Sequence, residues 1–275
     1  MGIQTTKLPY NPVIWPAAPI DFTGDNNLGY YTTETTQRYV WGTRGMTWDG
    51  KVFRYGRSQA TQYAGYGAVA GANIDVSDLI NSNTPNAIVA GDRTLNVTVA
   101  SSEGYASDGV IATDELIGGM FVIGHSSAAT TEVRTVMSNT AVASGGGTTT
   151  ITVDYPFALA HATGFAELPL NPYGYLTRGA IAPIASVLGV PNITATTGQH
   201  LWIQTWGLCW CAPGGADTTP GDAENNREVF FVGDGTVNGG NVITLEDGYQ
   251  RAGFIVDASE SGTGCMPLVM LQLSI

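Results

Sequence analysis

The sequence predicts an all-β protein: a sandwich or barrel-like body of many short antiparallel strands, with an extended N-terminal arm and little helix. Three observations carry this. Apolar side chains recur at every second position in several short runs, the period of a half-buried strand. Thirty-three threonines set against only two lysines, Lys7 and Lys51, make a composition rich in β-branched residues. The 36 Gly and 13 Pro punctuate the chain at close intervals, and short strands bounded by such breakers favour a sandwich or barrel.

In chain order, residues 1–37 hold four prolines and little periodicity, and read as an extended arm. Residues 38–92 form a small β region with a hairpin. There Thr47-Trp48-Asp49-Gly50-Lys51-Val52-Phe53 sets Asp-Gly between two β-prone runs, the signature of a type I′ turn. Residues 93–275 form the main β domain. Thr94–Val99 and Thr150–Asp154 alternate strictly, and Thr130–Val136 is rich in β-branched residues. At the end Val269, Leu271, Leu273 and Ile275 line one face. Single helical turns are expected near Asp75–Asn81 and Ala180–Leu188, and a surface insertion at Ala212–Asn226. Further turns are expected at Gly145-Gly146-Gly147, Asn171–Gly174, Gly233-Asp234-Gly235 and Asn238-Gly239-Gly240.

Composition excludes several classes. With 43% hydrophobic residues and 12% charged, the 275-residue chain can build a core and lacks the signature of disorder. No run approaches the length of a membrane helix, and the first residues do not read as a Sec leader. Three cysteines, Cys209, Cys211 and Cys265, cannot make a disulfide framework and are expected as reduced, packed thiols. The formal charge is −12, and it is uneven. Residues 1–70 carry six basic and four acidic side chains; residues 71–275 carry five and nineteen. An acidic body of this kind repels nucleic acid. The run Arg38, Arg44, Lys51, Arg54 and Arg57 is the exception: either a set of solvated strand positions or a contact for an acidic protein surface.

Catalytic patterns are sparse. There is no P-loop, no nucleophile elbow, and no following helix that would make Gly65-Tyr66-Gly67 a dinucleotide loop. His125, His161 and His200 are isolated, and Cys209-Trp210-Cys211 with Cys265 falls one ligand short of a zinc site. Asp247, Asp257 and Glu260 are the type of carboxylate a polysaccharide-cleaving enzyme uses, against a background of a solvated acidic surface. Neither a cofactor nor a metal is expected.

The aromatic signal is stronger. Trp202, Trp206 and Trp210 stand four apart. On a strand they share one face with Gln204 and Leu208; a helix would align them too, but the intervening Thr, Ile and Cys favour the strand. Such indoles either stack on sugar rings or fill a core or subunit interface.

Five segments, taken in order, resemble a known class. They are Trp48-Asp49-Gly50-Lys51-Val52-Phe53-Arg54-Tyr55, Gly118-Gly119-Met120-Phe121-Val122-Ile123, Thr149–Pro156, Trp202–Gly207 and Pro267–Leu273. They look like structural proteins of tailed-bacteriophage virions, most of all the capsid decoration (cement) proteins. The resemblance spans residues 38–275; the Pro-rich start and the 212–226 loop depart from it. It implies a non-enzymatic protein made in the host cytoplasm and carried on the capsid surface, often as a homotrimer. The implied partners are the major capsid protein and copies of itself, with no nucleic acid and no membrane. The candidate interface is Arg38, Arg44, Lys51, Arg54, Arg57, Trp202, Trp206 and Trp210. The alternatives are a receptor- or glycan-binding module of a head or tail fibre, and a depolymerase.

Overall fold

Strict alternation of apolar and polar residues builds strands with one wet face, and strands of that kind dominate the computed structural model. It describes residues 29–47, 49–70, 79–83, 87–105, 108–123, 131–143, 145–162, 165–178, 186–214, 220, 227–239, 249–257 and 267–274. The protein is all-β, as the sequence predicts, with two curled antiparallel sheets. Among the described residues the one helical element is a 3-10 turn at Pro172–Gly174.

The strands in chain order begin with β1 (Arg44–Met46), β2 (Val52–Arg57) and β3 (Ala68–Ala70). Next come β4 (Leu79–Asn83), β5 (Thr94–Val99), β6 (Met120–Ile123), β7 (Glu132–Asn139), β8 (Gly147–Val153) and β9 (Phe165–Pro169). The chain closes with β10 (Leu176–Arg178), β11 (Val187–Pro191), β12 (His200–Trp210), β13 (Glu228–Phe231), β14 (Val237–Gly239), β15 (Arg251–Asp257) and β16 (Leu268–Gln272).

Two compact units divide these strands: residues 1–72 with 175–275, and residues 73–174 inserted between them. The expected boundaries after residues 37 and 92 do not follow this division. The reason is long-range pairing, which composition cannot reveal. Strand β2 pairs with β12, and Ile88 bridges His161.

The inserted unit is a six-stranded sheet ordered β4-β9-β6-β7-β8-β5. It curls until Cα atoms of its edge strands β4 and β5 approach within 8 Å. Leu95, Val97 and Val99 of β5 alternate inward with exposed Thr94 and Thr98, and Leu95 lies opposite inward Ile151. Phe121, Val136, Phe157 and Leu168 complete that core. Strand β4 replaces the helical turn expected near Asp75–Asn81 over its last three residues; the rest of that stretch lies outside the described residues.

The other unit carries a ten-stranded sheet, with the path β10-β3-β11-β12-β16-β15-β13-β14 and β2 joining β1 to β12. Val69, Val187, Val190, Cys209, Val229, Phe231, Val269 and Leu271 pack as its core. Val187 and Leu188, expected in a helical turn, open strand β11 instead, and residues 180–185 are not described. In both cases pairing with a neighbouring strand, β9 for β4 and β3 for β11, decides the state. The 212–226 insertion and Ile275 lie largely or wholly outside the described residues.

Two hairpins share one turn design. In the β1–β2 hairpin Gly50 N donates to Thr47 O (3.1 Å) and Thr47 N to Lys51 O (2.9 Å); between β13 and β14 Gly235 N and Val232 N make the same pair of bonds. The expected type I′ turn is absent. It needs positive φ at both central residues, whereas Gly50 alone is left-handed at +83° and Asp49 is not. Asp49 instead accepts from Thr47 Oγ1 and pairs with Lys51 at 3.1 Å. A Cβ at Gly50 would meet nothing within 4 Å, so its cost is purely conformational. Gly50→Val should therefore lower unfolding stability by about 1–2 kcal/mol, with Gly50→Asn milder, in denaturant melts; an unchanged midpoint for the valine variant would refute the turn assignment.

Candidate interaction surface

Strand β12 positions the candidate site because its halves are paired differently: the first lies between β2 and β11, the second borders β16. Its first half pairs with β2, from His200 opposite Arg57 to Gln204 opposite Phe53. Its second half pairs with β16, from Trp206 opposite Gln272 to Trp210 opposite Leu268. At the change, one step on β2 (Phe53 to Val52) answers two steps on β12 (Gln204 to Trp206), a β-bulge. The extra residue, Thr205, is fully buried. Its carbonyl accepts from Leu273 N (3.0 Å) and its hydroxyl donates to Ser274 O (2.8 Å).

The bulge overturns the expectation that Trp202, Gln204, Trp206, Leu208 and Trp210 share one face. Phe53 and Val52 point to opposite faces, and so do their partners Gln204 and Trp206. Beyond the bulge odd positions are buried (Gly207, Cys209) and even positions emerge (Trp206, Leu208, Trp210). Trp202 is shut in and Trp210 is open. The buried Gln204 amide is fully used. It donates to Trp206 O (3.1 Å) and Leu208 O (2.9 Å), and its oxygen accepts from Asn192 Nδ2 (3.1 Å).

On the inner face Trp202 anchors an aromatic cluster that sequence reading missed. Tyr30 stacks on Phe53 with centroids 4.4 Å apart and meets Trp202 edge-on at 5.1 Å. Tyr39 packs on Trp202 and Tyr55 at 5.4 and 5.2 Å. Gly45 makes this approach feasible, because a methyl there would overlap the Tyr30 hydroxyl. Residues 29–37, expected as the end of the arm, are thus docked. Glu34 N donates to His200 O (2.9 Å) and His200 N to Glu34 O (2.7 Å). The remainder of the arm, 1–28, is outside the described residues. Only the density of Tyr and Trp between 30 and 55 hinted at the cluster.

Burial sets the chemistry of these rings. It raises the Tyr30 phenol far above its usual range and lifts Tyr55 to about 12. Burial, with Arg57 nearby, lowers His200 to about 4. The imidazole Nδ1 accepts the Trp41 indole N–H at 3.3 Å, which assigns the ring proton to Nε2.

On the outer face the second half of β12 joins β16 and β15 in an apolar row. Leu208 lies opposite Met270, which lies opposite Phe254, and Trp210 lies opposite Leu268. Leu208 is 45% exposed, Trp210 54% and Phe254 38%. The basic residues fall at different places. Arg38 extends into solvent and pairs with Glu34 (2.7 Å), Lys51 pairs with Asp49, and Arg57 stands opposite His200. Arg44 and Arg54 face each other across the β1–β2 ladder.

The remaining chemical groups are dispersed. Cys209 and Cys211 are buried free thiols, and Cys211 is raised well above the ordinary range by Cys209 and by burial. Cys265, His125, Asp247 and Glu260 are not described, and Asp257 ends β15 on the surface. Among the described residues no three His, Cys, Asp or Glu gather as a metal site, and no helix is long and apolar enough to cross a membrane. In the inserted unit Glu132 is buried with His161. Burial opposes its charge, but amide bonds from Ala158 (3.0 Å) and Leu159 (2.7 Å), His161 Nε2 (3.1 Å) and Arg134 prevail and hold its pKa down. This carboxylate has its bonding capacity filled from its own fold, the pattern of a structural tie.

Comparison of the chain with family models, with curated proteins and with solved structures finds no match in any of the three.

Neutral His200 yields a pH test. Its folded pKa of about 4 lies below the ordinary 6.5, so between those values the unfolded chain binds the extra proton. Stability is full above about pH 6.5, falls as pH drops towards 4, and gains no further penalty from this group below that. Urea midpoints should follow that course, and His200→Asn, which retains an acceptor for Trp41, should flatten it. An equal slope in the variant would refute the assignment.

Proposed function

We propose that this chain is a structural protein of a tailed-phage virion that decorates and stabilises the head surface, binding the major capsid protein and copies of itself. The observation that supports an adhesive role is the apolar row Leu208, Trp210, Met270 and Phe254, laid across three paired strands of one sheet face. Contiguous apolar surface of this sort marks interaction sites, and aromatic side chains held on a rigid sheet are typical binding anchors. The particular partner rests on the resemblance of residues 38–275 to decoration proteins. A glycan-binding fibre module is the second reading, favoured by the open indole of Trp210. Against it stands the broken Trp row, which leaves no continuous stacking platform.

The test uses side chains that are already exposed. Leu208→Asp and Phe254→Asp should leave the melting temperature near that of the parent. Co-sedimentation with expanded capsids should fall at least about ten-fold, the equivalent of ~1.4 kcal/mol. Undiminished binding would count against this face. Saturable quenching of Trp fluorescence by oligosaccharides, lost in Trp210→Ala, would instead establish the fibre reading. Because Tyr30 belongs to the folded body, a deletion that tests the arm as a further contact must stop at residue 28.

A further inference from the structure

Strand pairing sets Arg44 directly opposite Arg54, with Gly45 opposite Phe53 and Met46 opposite Val52 on either hand. Like charges at directly opposed sites repel. Four other cations meet carboxylates: Arg38 with Glu34, Lys51 with Asp49, Arg134 with Glu132 and Arg251 with Glu228; Arg93 spends its donors on the carbonyls of Val153 and Asp154, and Arg178 lies over the rings of Tyr63 and Tyr66. No carboxylate meets Arg44 or Arg54 among the described residues. Arg54 places Nη1 on Gly42 O (3.1 Å). The Nε–H of Arg54 and the Nε–H of Arg44 are both closed to water and bonded to nothing.

Two arginines set directly opposite on the ladder thus meet no carboxylate among the described residues. With each Nε–H closed to water, an incoming carboxylate would have to meet the terminal Nη nitrogens, and the position of the pair says where it would come from. Arg54 lies two residues along β2 from Val52, the partner of Trp206, so pleating puts Arg44 and Arg54 on the same sheet face as Trp206, Leu208 and Trp210. Both arginines are only partly buried. Planar guanidinium forks match carboxylates in two-point geometry and discriminate shape as well as charge. The −12 chain repels polyanions, whereas a single carboxylate on a protein surface suffers little from that field.

We propose that Arg44 and Arg54 form a two-arginine seat for a carboxylate side chain of the protein surface that covers the apolar row. The identity of the donor rests on the adhesive reading above; the seat itself does not. Its test has two arms. In the first, acetate and glutarate are titrated into the protein while the arginine Nε–H signals are followed by NMR. The Arg44 and Arg54 signals should move together and saturate. In Arg44→Gln the Arg54 shift should weaken at least about ten-fold, the scale of one charge-assisted fork; Arg44→Lys, which keeps charge but not the fork, should retain only part of it. Melting curves check that both variants fold, and removing the repulsion should leave stability equal or higher.

In the second arm, Arg44→Gln with Arg54→Gln should weaken co-sedimentation with expanded capsids by a comparable factor. The proposal is overturned by a carboxylate shift that never saturates, by an equal shift in Arg44→Gln, or by co-sedimentation indifferent to the double change. Sulfate or phosphate matching acetate in the first arm would overturn the choice of carboxylate. Parent protein that ignores capsids yet shows the saturable shift would sink the adhesive reading and leave the seat standing.

Discussion

The bulge at Gln204–Trp206 is the constraint from which the rest of the larger unit follows. An uninterrupted strand of eleven residues would keep every even side chain on one face. It would then either bury Trp210 with Trp202 or expose Trp202 with Trp210. One extra residue reverses the parity, where β12 leaves its place between β2 and β11 and runs on beside β16. Thr205 can occupy that position, fully buried, because the closing segment of the chain satisfies both its carbonyl and its hydroxyl. An unbonded polar group there would cost about 1–3 kcal/mol. The reversal thus depends on a polar account closed by Leu273 and Ser274.

The two faces that result have different physics. Inside, Tyr30, Tyr39 and Trp202 trade water for ring contacts, and the Trp41–His200 bond survives only while the imidazole stays neutral. Burying an ionised histidine there would remove the lone pair that Trp41 uses and place charge beside Arg57. Outside, no such closure occurs. Leu208, Phe254 and Trp210 keep apolar area in water, which a folded monomer gains nothing by doing. The interior is self-sufficient where the outer row is not.

The legible part of the fold was whatever a short window can encode. The alternation in Thr94–Val99 and Thr150–Asp154 marked both strands and the inward faces of Leu95, Val97, Val99, Ile151 and Val153, although β8 starts at Gly147 and stops at Val153, because a half-buried strand writes its burial directly into its own residues. Asp49-Gly50 marked its hairpin and Gly233-Asp234-Gly235 a turn for the same reason, although the type of turn was settled by hydrogen bonds of Thr47 and Val232 lying outside the Asp-Gly pair. What a window cannot encode is the identity of the partner strand. The joining of β2 to β12, the insertion of residues 73–174, and the strand state of Val187 and Leu188 beside β3 all depend on pairing across long stretches of chain. The bulge was illegible on the same ground. Spacing four in Trp202, Trp206 and Trp210 is unchanged by it; only the register against β2 shows that the row is broken.

The basic run shows how composition and structure divide the labour. As a sequence feature, Arg38, Arg44, Lys51, Arg54 and Arg57 are five equivalent positive charges, and clustering alone favours a solvated face as readily as a contact. The hairpin makes them unequal. Its turn brings Asp49 to Lys51, and the docked segment brings Glu34 to Arg38. Both pairs are local, and surface pairs of this kind contribute little to stability. Arg44 and Arg54 are set opposite by the ladder itself, where no residue of the hairpin can intervene between them. A cross-strand pair of like charge persists against its own repulsion only where backbone pairing, packing and partial hydration outweigh it. Of the neighbours on the ladder, Gly45 and Phe53 pack against Tyr30 on the opposite face. The same docking of Tyr30 that closes the interior therefore braces the ladder that sets Arg44 against Arg54, a pair that meets no carboxylate among the described residues, on the face that carries the apolar row.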